Sequence, residues 1–220
     1  FVALNDAIVV GTAIASDEGA PVKIIGATYQ KNPFSIVSLK DGANIATPAD
    51  MKGKKIGVQD SNLSLFSALL AANGIDASEV TIVPVQYDPS VLTNGEVDGF
   101  LGYLTNENLT VQRMGFDVTN LPFADNGLPF VAETFTVTDQ AIANDREKVK
   151  AFLKAEIQGW TDALKNQSAA VDSCLATYGA DQNLDRDQEL AASAEQAKLV
   201  STADTTANGL FTVSADLQKQ

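Results

Sequence analysis

The 220-residue chain contains no histidine, a single cysteine (Cys174), and only 15 lysines and arginines against 28 aspartates and glutamates. Each shortage excludes something. Without histidine the commonest general base near neutral pH and the commonest metal ligand are gone. Ser-His-Asp and Cys-His mechanisms are therefore excluded, and only carboxylate, lysine or hard-cation chemistry is left for an enzyme. One cysteine excludes an internal disulfide and a multi-cysteine metal site, and Cys174 reads as a small helix residue turned inward. A net charge of −13 repels phosphate polymers and anionic membrane surfaces, so nucleic acid is not an expected partner. No window approaches the roughly 18 consecutive apolar residues of a membrane span. Repeats and low-complexity runs are missing as well. The glycines at 53, 57, 95, 99 and 102 fit neither a P-loop nor a dinucleotide fingerprint. These absences point to a protein without cofactor and without metal, and they narrow the routes open to an enzyme without excluding one.

What is present is an ordinary globular mixture, 45% apolar and 20% charged, long enough for one large domain or two small lobes. FVALNDAIVVGTAIASDEG at the start has no basic head and is punctuated by acids, so it does not read as a signal peptide. It reads as a helix capped by Asn5 or Asp6 and closed by Gly19, and a chain that starts so close to a helix looks truncated or processed. Strands follow at 22–29 (VKIIGATY) and 34–39 (FSIVSL), with a proline-started turn capped by Thr47 at Pro48 and a strand KIGV at 55–58. The next helix starts near Ser61 with an apolar stripe of Leu63, Phe66, Leu69 and Leu70 and stops at Gly74. Strand VTIVPVQ (80–86), a short helix in PSVLTNGEV (89–97), strand GFLGYL (99–104), a helix capped by Thr105, and strand FDVTNLPF from 116 continue the alternation. The spacing predicts an α/β fold with a mainly parallel sheet covered by helices. A strand at 130–139 and three helices, the first capped by Asn144 or Asp145, complete the chain.

The polar turns between strands and helices carry the functional signal. In a doubly wound sheet small ligands sit beyond the carboxyl ends of the strands, where helix N-termini present unpaired N–H groups. In GVQDSNLSLFSALL (57–70), Gln59, Asp60, Ser61, Asn62 and Ser64 occupy such a place. Ser61 is either a helix cap or, with Ser64 and the N–H groups around Asn62, a receiver for a phosphate, sulfonate or carboxylate. TNEN (105–108) holds the equivalent position after GFLGYL, where Tyr103, Asn106 and Glu107 offer an aromatic face, an amide and a carboxylate. ATYQKNPF brings Tyr29, Gln30 and Phe34 to the end of a third strand, a stacking wall or a set of anchors. The carboxylate pairs Asp125 and Glu133, and Glu96 and Asp98, lack a third partner and read as solvated turn charges.

Three segments together carry a resemblance: GAPVKIIGATYQKNPFSIVS, then IATPADMKGKKIGV running into QDSNLSLFSALLAANGI, then LTNGEVDGFLGYLTNENLTVQRMGFDV. They resemble the substrate-binding proteins of ABC importers, in the group that binds aliphatic sulfonates, nitrate, riboflavin and the pyrimidine precursor of thiamine. LPFVAETFTVT and the helix NDREKVKAFLKAEIQGWTDALKN extend the resemblance to about residue 170. It implies a type II periplasmic-binding fold of two hinged α/β lobes, with 1–39 and 131–220 forming lobe 1 and 40–130 forming lobe 2. The family ordinarily begins on the order of 70 residues earlier, so lobe 1 is expected to be incomplete.

The resemblance further implies a non-catalytic, monomeric receptor, periplasmic or anchored at the cell surface, that presents a small molecule to an ABC permease in the membrane. GYLTNEN, ATYQ and ADNGLPF look most like the riboflavin and thiamine-precursor members, which take planar heteroaromatic ligands. On that basis the ligand-binding set is Tyr29, Gln30, Gln59, Ser61, Asn62, Ser64, Tyr103, Asn106, Glu107 and Asp125. Two alternatives are a binding protein for a sulfonate, nitrate or similar anion and the effector domain of a LysR-type regulator. The eukaryotic pyrimidine synthases that resemble the same family use histidine and a cysteine-rich segment, which this chain does not have.

Overall fold

The computed structural model describes residues 2–219. The chain divides into two compact units, one made of the residues up to Asn32 and from Phe130 onward, the other of Pro33–Pro129.

In the first unit, strand β1 (Ala3–Asn5) leads into helix α1 (Ala7–Ala15), with Asp6 at its N-cap, and then β2 (Val22–Tyr29). The helix thus starts after Asp6, one of the two caps the sequence offers, while residues 3–5 ahead of it form a strand that pairs with a later one, and Phe1 lies outside the described residues. In the second unit come β3 (Phe34–Leu39), β4 (Lys55–Val58), α2 (Leu63–Ala72), β5 (Thr81–Pro84), α3 (Ser90–Thr93), β6 (Gly99–Tyr103), α4 (Glu107–Arg113) and β7 (Val118–Pro122). The chain returns to the first unit with β8 (Ala132–Thr138), α5 (Asp139–Asn144), α6 (Arg146–Lys165), α7 (Gln167–Ser173), α8 (Arg186–Val200) and α9 (Ala203–Asn208).

The first unit's sheet has the order β1-β8-β2, and β8 runs antiparallel to both neighbours. The expectation of a mainly parallel sheet fails here. Long-range return of β8 between two strands from the chain start brings no βαβ crossover, so nothing forces parallel pairing. Glu133 adopts φ 50° inside β8, which breaks the alternation of faces. Phe135 packs at 4.8 Å from Phe211 and 6.0 Å from Phe152, between ring centroids. Tyr29, Ala132 and Val200 form a second buried cluster with Trp160 and Leu164 against it.

The second unit's sheet has the order β5-β4-β6-β3-β7. Strands β5, β4 and β6 are parallel, and β3 runs antiparallel to β6 on one side and β7 on the other. Strands β4 to β7 thus all point one way, as crossovers through α2, α3 and α4 require. β3, placed in lobe 1 by the reading of 1–39, lies inside this sheet because its Ile36 and Val37, both fully buried, need cover from two neighbours. Val37, Leu92, Val97, Phe100 and Val111 form the core on one side.

Two caps differ from the sequence reading. Helix α4 is preceded by Asn106, not Thr105, and α2 starts at Leu63 after a single 3-10 turn over Asp60–Asn62. Gly74 does close α2 in the left-handed region at φ 63°.

Candidate functional site

Parallel pairing of β4 with β5 and β6 puts the carboxyl ends of all three strands on one edge. The segments leaving that edge carry the polar residues, so residues far apart in sequence meet there. A cavity of about 280 Å³ results, lined by Gln59, Asn62, Tyr87, Leu101, Gly102, Tyr103, Asn106 and Glu107.

Gln59 is buried, and its Nε2 donates to the Leu101 carbonyl at 2.9 Å, tying the end of β4 to β6. Its Oε1 accepts from Asn62 Nδ2 at 2.9 Å, and the start of α2 carries no side-chain cap. Glu107, the first residue of α4, is 8% exposed. Its Oε2 accepts the Tyr103 N–H at 2.7 Å and its Oε1 accepts from Asn106 Nδ2 at 3.3 Å. A carboxylate withdrawn from water needs such donors to remain tolerable. The close approach explains Gly102: a Cβ there would stand 2.8 Å from Glu107 Cβ. Tyr103 is held edge-on by Phe34, with centroids 4.7 Å apart and planes at 86°, and Phe34 stacks in turn on Phe123.

The other residues of the expected set lie elsewhere. Ser61 and Ser64 are exposed and outside the lining; Ser61 Oγ pairs with the Tyr87 hydroxyl at 2.8 Å. α2 begins two residues later than the pattern suggests, and Ser64, its second residue, is exposed. Asp125 is exposed in a 3-10 turn after β7 and does not line the cavity. Tyr29 and Gln30 belong to the first unit and are 7% and 3% exposed. Gln30 Nε2 donates to the Ala27 carbonyl, while its buried Oε1 has no partner.

Sequence reasoning missed Tyr87 and the whole neighbourhood of Glu133. Far from being a solvated turn charge, Glu133 is half-buried close to Asp6 and Tyr29. Burial and then the charge of Asp6 raise its carboxyl above the ordinary value of 4.5. Asp6 is raised too, by burial working against the Glu133 N–H that it accepts. Burial first and the Glu133 charge second push the Tyr29 phenol up to about 12.

Both acids therefore bind protons more tightly folded than unfolded. The stability this contributes is complete below the ordinary carboxylate range and is lost as pH climbs through the raised values. Glu133→Gln, which removes one of the charges, should raise the thermal midpoint at pH 8 relative to wild type and leave it unchanged at pH 4. The gain should stay below about 1 kcal/mol, since solvent screens a half-exposed charge. A loss at pH 8 would reverse this account of the pair.

A family model described as NMT1/THI5 like matches residues 7–170. The riboflavin-binding protein RibY of Chloroflexus aurantiacus is 29% identical over 171 residues, 75% of this chain and 48% of that protein. A putative thiamine biosynthesis protein of Haemophilus influenzae is 30% identical over 143 residues, 63% of this chain and 45% of that protein. The chain thus spans about half the length of the curated relatives it matches. Among solved structures, the periplasmic aliphatic sulphonate binding protein SsuA from Escherichia coli superposes with a TM-score of 0.61 at 16% identity, covering 94% of this chain and 70% of that one. The desulfurization enzyme DSZB superposes with a TM-score of 0.54 at 15% identity, covering 99% and 81%. At these identities the likeness is one of fold, the α/β fold of periplasmic binding proteins.

Proposed function

The chain belongs to the NMT1/THI5-like family, and from that premise we propose that it is the solute-capturing part of an ABC import system whose ligand is a small planar heteroaromatic molecule. The ligand class is that of riboflavin or the thiamine pyrimidine precursor, and capture precedes presentation to a membrane permease. Among the described residues no helix is long and apolar enough to cross a membrane. An extracytoplasmic location fits the names of the periplasmic fold relatives.

The observation that carries the ligand choice is the chemistry of the cavity lining. It combines two tyrosines, three amides and one carboxylate, with no lysine or arginine. Tyr103 offers a planar face, and Gln59, Asn62 and Glu107 offer hydrogen-bonding groups to the edges of a ring. A buried carboxylate opposes a sulfonate or nitrate and favours N–H donors of a neutral or cationic heterocycle. An anion remains the competing ligand, supported by the fold likeness to SsuA and by the uncapped N–H groups at the start of α2.

Calorimetric titration of the 220-residue chain with riboflavin, the thiamine pyrimidine, an alkanesulfonate and nitrate separates the two. Binding of a planar compound is expected, and Tyr103→Ala should weaken it roughly five- to tenfold, the ~1 kcal/mol of an aromatic pair beyond its burial. Heat from the sulfonate or nitrate alone would overturn the reading.

A further inference from the structure

Tyr87 lies three residues beyond the end of β5 and is 59% exposed. It nevertheless lines the cavity together with Tyr103, and its hydroxyl meets Ser61 Oγ at 2.8 Å. Ser61 is itself exposed, on the turn that follows β4. Strands β4 and β5 are adjacent and parallel, with Val58 opposite Pro84. Their outgoing segments therefore run side by side, and the hydroxyl pair spans them.

Fold stability does not account for this arrangement. A hydrogen bond between two solvent-exposed hydroxyls exchanges with water at little net gain, and a ring left more than half in solvent contributes little burial. What the bond does accomplish is positional: it removes rotamer freedom from a large planar side chain at the rim of a cavity. Preorganisation of that kind gains affinity because the entropy cost has been met before the ligand arrives.

We infer that Tyr87 is a second aromatic wall of the ligand cavity and that Ser61 is a positioning residue that fixes its ring. The inference rests on the planar-ligand reading above and refines it, since it assigns Ser61 to the tyrosine in place of an anion. Two tyrosines, one anchored from within by Phe34 and one from outside by Ser61, suit a ring system wide enough to touch both.

Titration with riboflavin and with the thiamine pyrimidine, followed by flavin fluorescence quenching and by calorimetry, provides the test. For whichever compound the wild type binds, Tyr87→Ala should weaken affinity about tenfold without moving the thermal midpoint, and for riboflavin it should relieve the quenching that stacking causes. Ser61→Ala and Tyr87→Phe should each weaken it about threefold, their combination should be no worse than either alone, and Ser61→Thr should restore it. Wild-type affinity in Tyr87→Ala would overturn the wall, and additive effects of Ser61→Ala and Tyr87→Phe would overturn the positioning role. In either case the planar-ligand reading would stand. A wild type that binds neither compound overturns that reading, and this inference with it.

Discussion

Phe100→Ala is expected to lower the unfolding free energy of the Pro33–Pro129 unit by about 3–5 kcal/mol. Phe100 is fully buried in β6, the middle strand of the five-stranded sheet, where it packs on Val37, Leu92, Val97 and Val111. Neighbouring strands on both sides hold the backbone in place, so the void cannot close by collapse, and its lining loses dispersion contacts outright. Across the strand pair Phe100 stands opposite Gly57, and a Cβ placed there would lie 3.5 Å from the ring. That glycine cannot fill the gap. Urea denaturation followed by circular dichroism measures the effect. A change under 1 kcal/mol would mean that the sheet rearranges far more easily than a close-packed core permits.

Gly102→Ala is expected to cost about 1–3 kcal/mol of stability through overpacking and to damage the cavity at the same time. The added methyl would stand 2.8 Å from Glu107 Cβ and 3.2 Å from its Oε2. The first of these atoms is fixed to the α4 backbone, so relief requires the helix start to move. Glu107 would then leave the Tyr103 amide, a charge-assisted bond of roughly 1.5–3 kcal/mol. If that carboxylate also receives the ligand, affinity falls roughly ten- to hundredfold. Denaturation and calorimetry on one preparation separate the two effects. Loss of stability with full affinity would remove Glu107 from the ligand's contacts.

Much of this unit is legible in the sequence because its elements are local: short apolar runs bounded by turn residues mark β4, β5 and β6, and Gly74 marks the end of α2. The meeting of Gln59 and Asn62 with Tyr103, Asn106 and Glu107 follows from one further step, that strands joined by helical crossovers run parallel and share a carboxyl edge. Tyr87 was not legible, since QYDP after a strand looks like any exit loop and its partner Ser61 is 26 residues away. Ser64 stands outside the cavity lining, on a helix whose start lies two residues past the one the pattern suggests, a drift usual for helix boundaries. Glu133 and Asp6 escaped because their proximity depends on β8 returning beside a strand from the start of the chain. No local pattern encodes such a return. The antiparallel sheet of the first unit escaped for the same reason.

Strand β3, which runs against the other four strands of its sheet, has a consequence for how the cavity is wired to the chain. Because it is reversed, the polypeptide enters this unit at the very rim where β6 ends: Pro33 accepts the Leu104 N–H at 2.9 Å, and Phe34 presses on Tyr103. Just upstream, Asn32 donates its N–H to the Phe130 carbonyl at 3.0 Å, so the outgoing strand is yoked to the incoming one. Phe34, the second residue of this unit, is thus also the ring that sets the angle of the Tyr103 face.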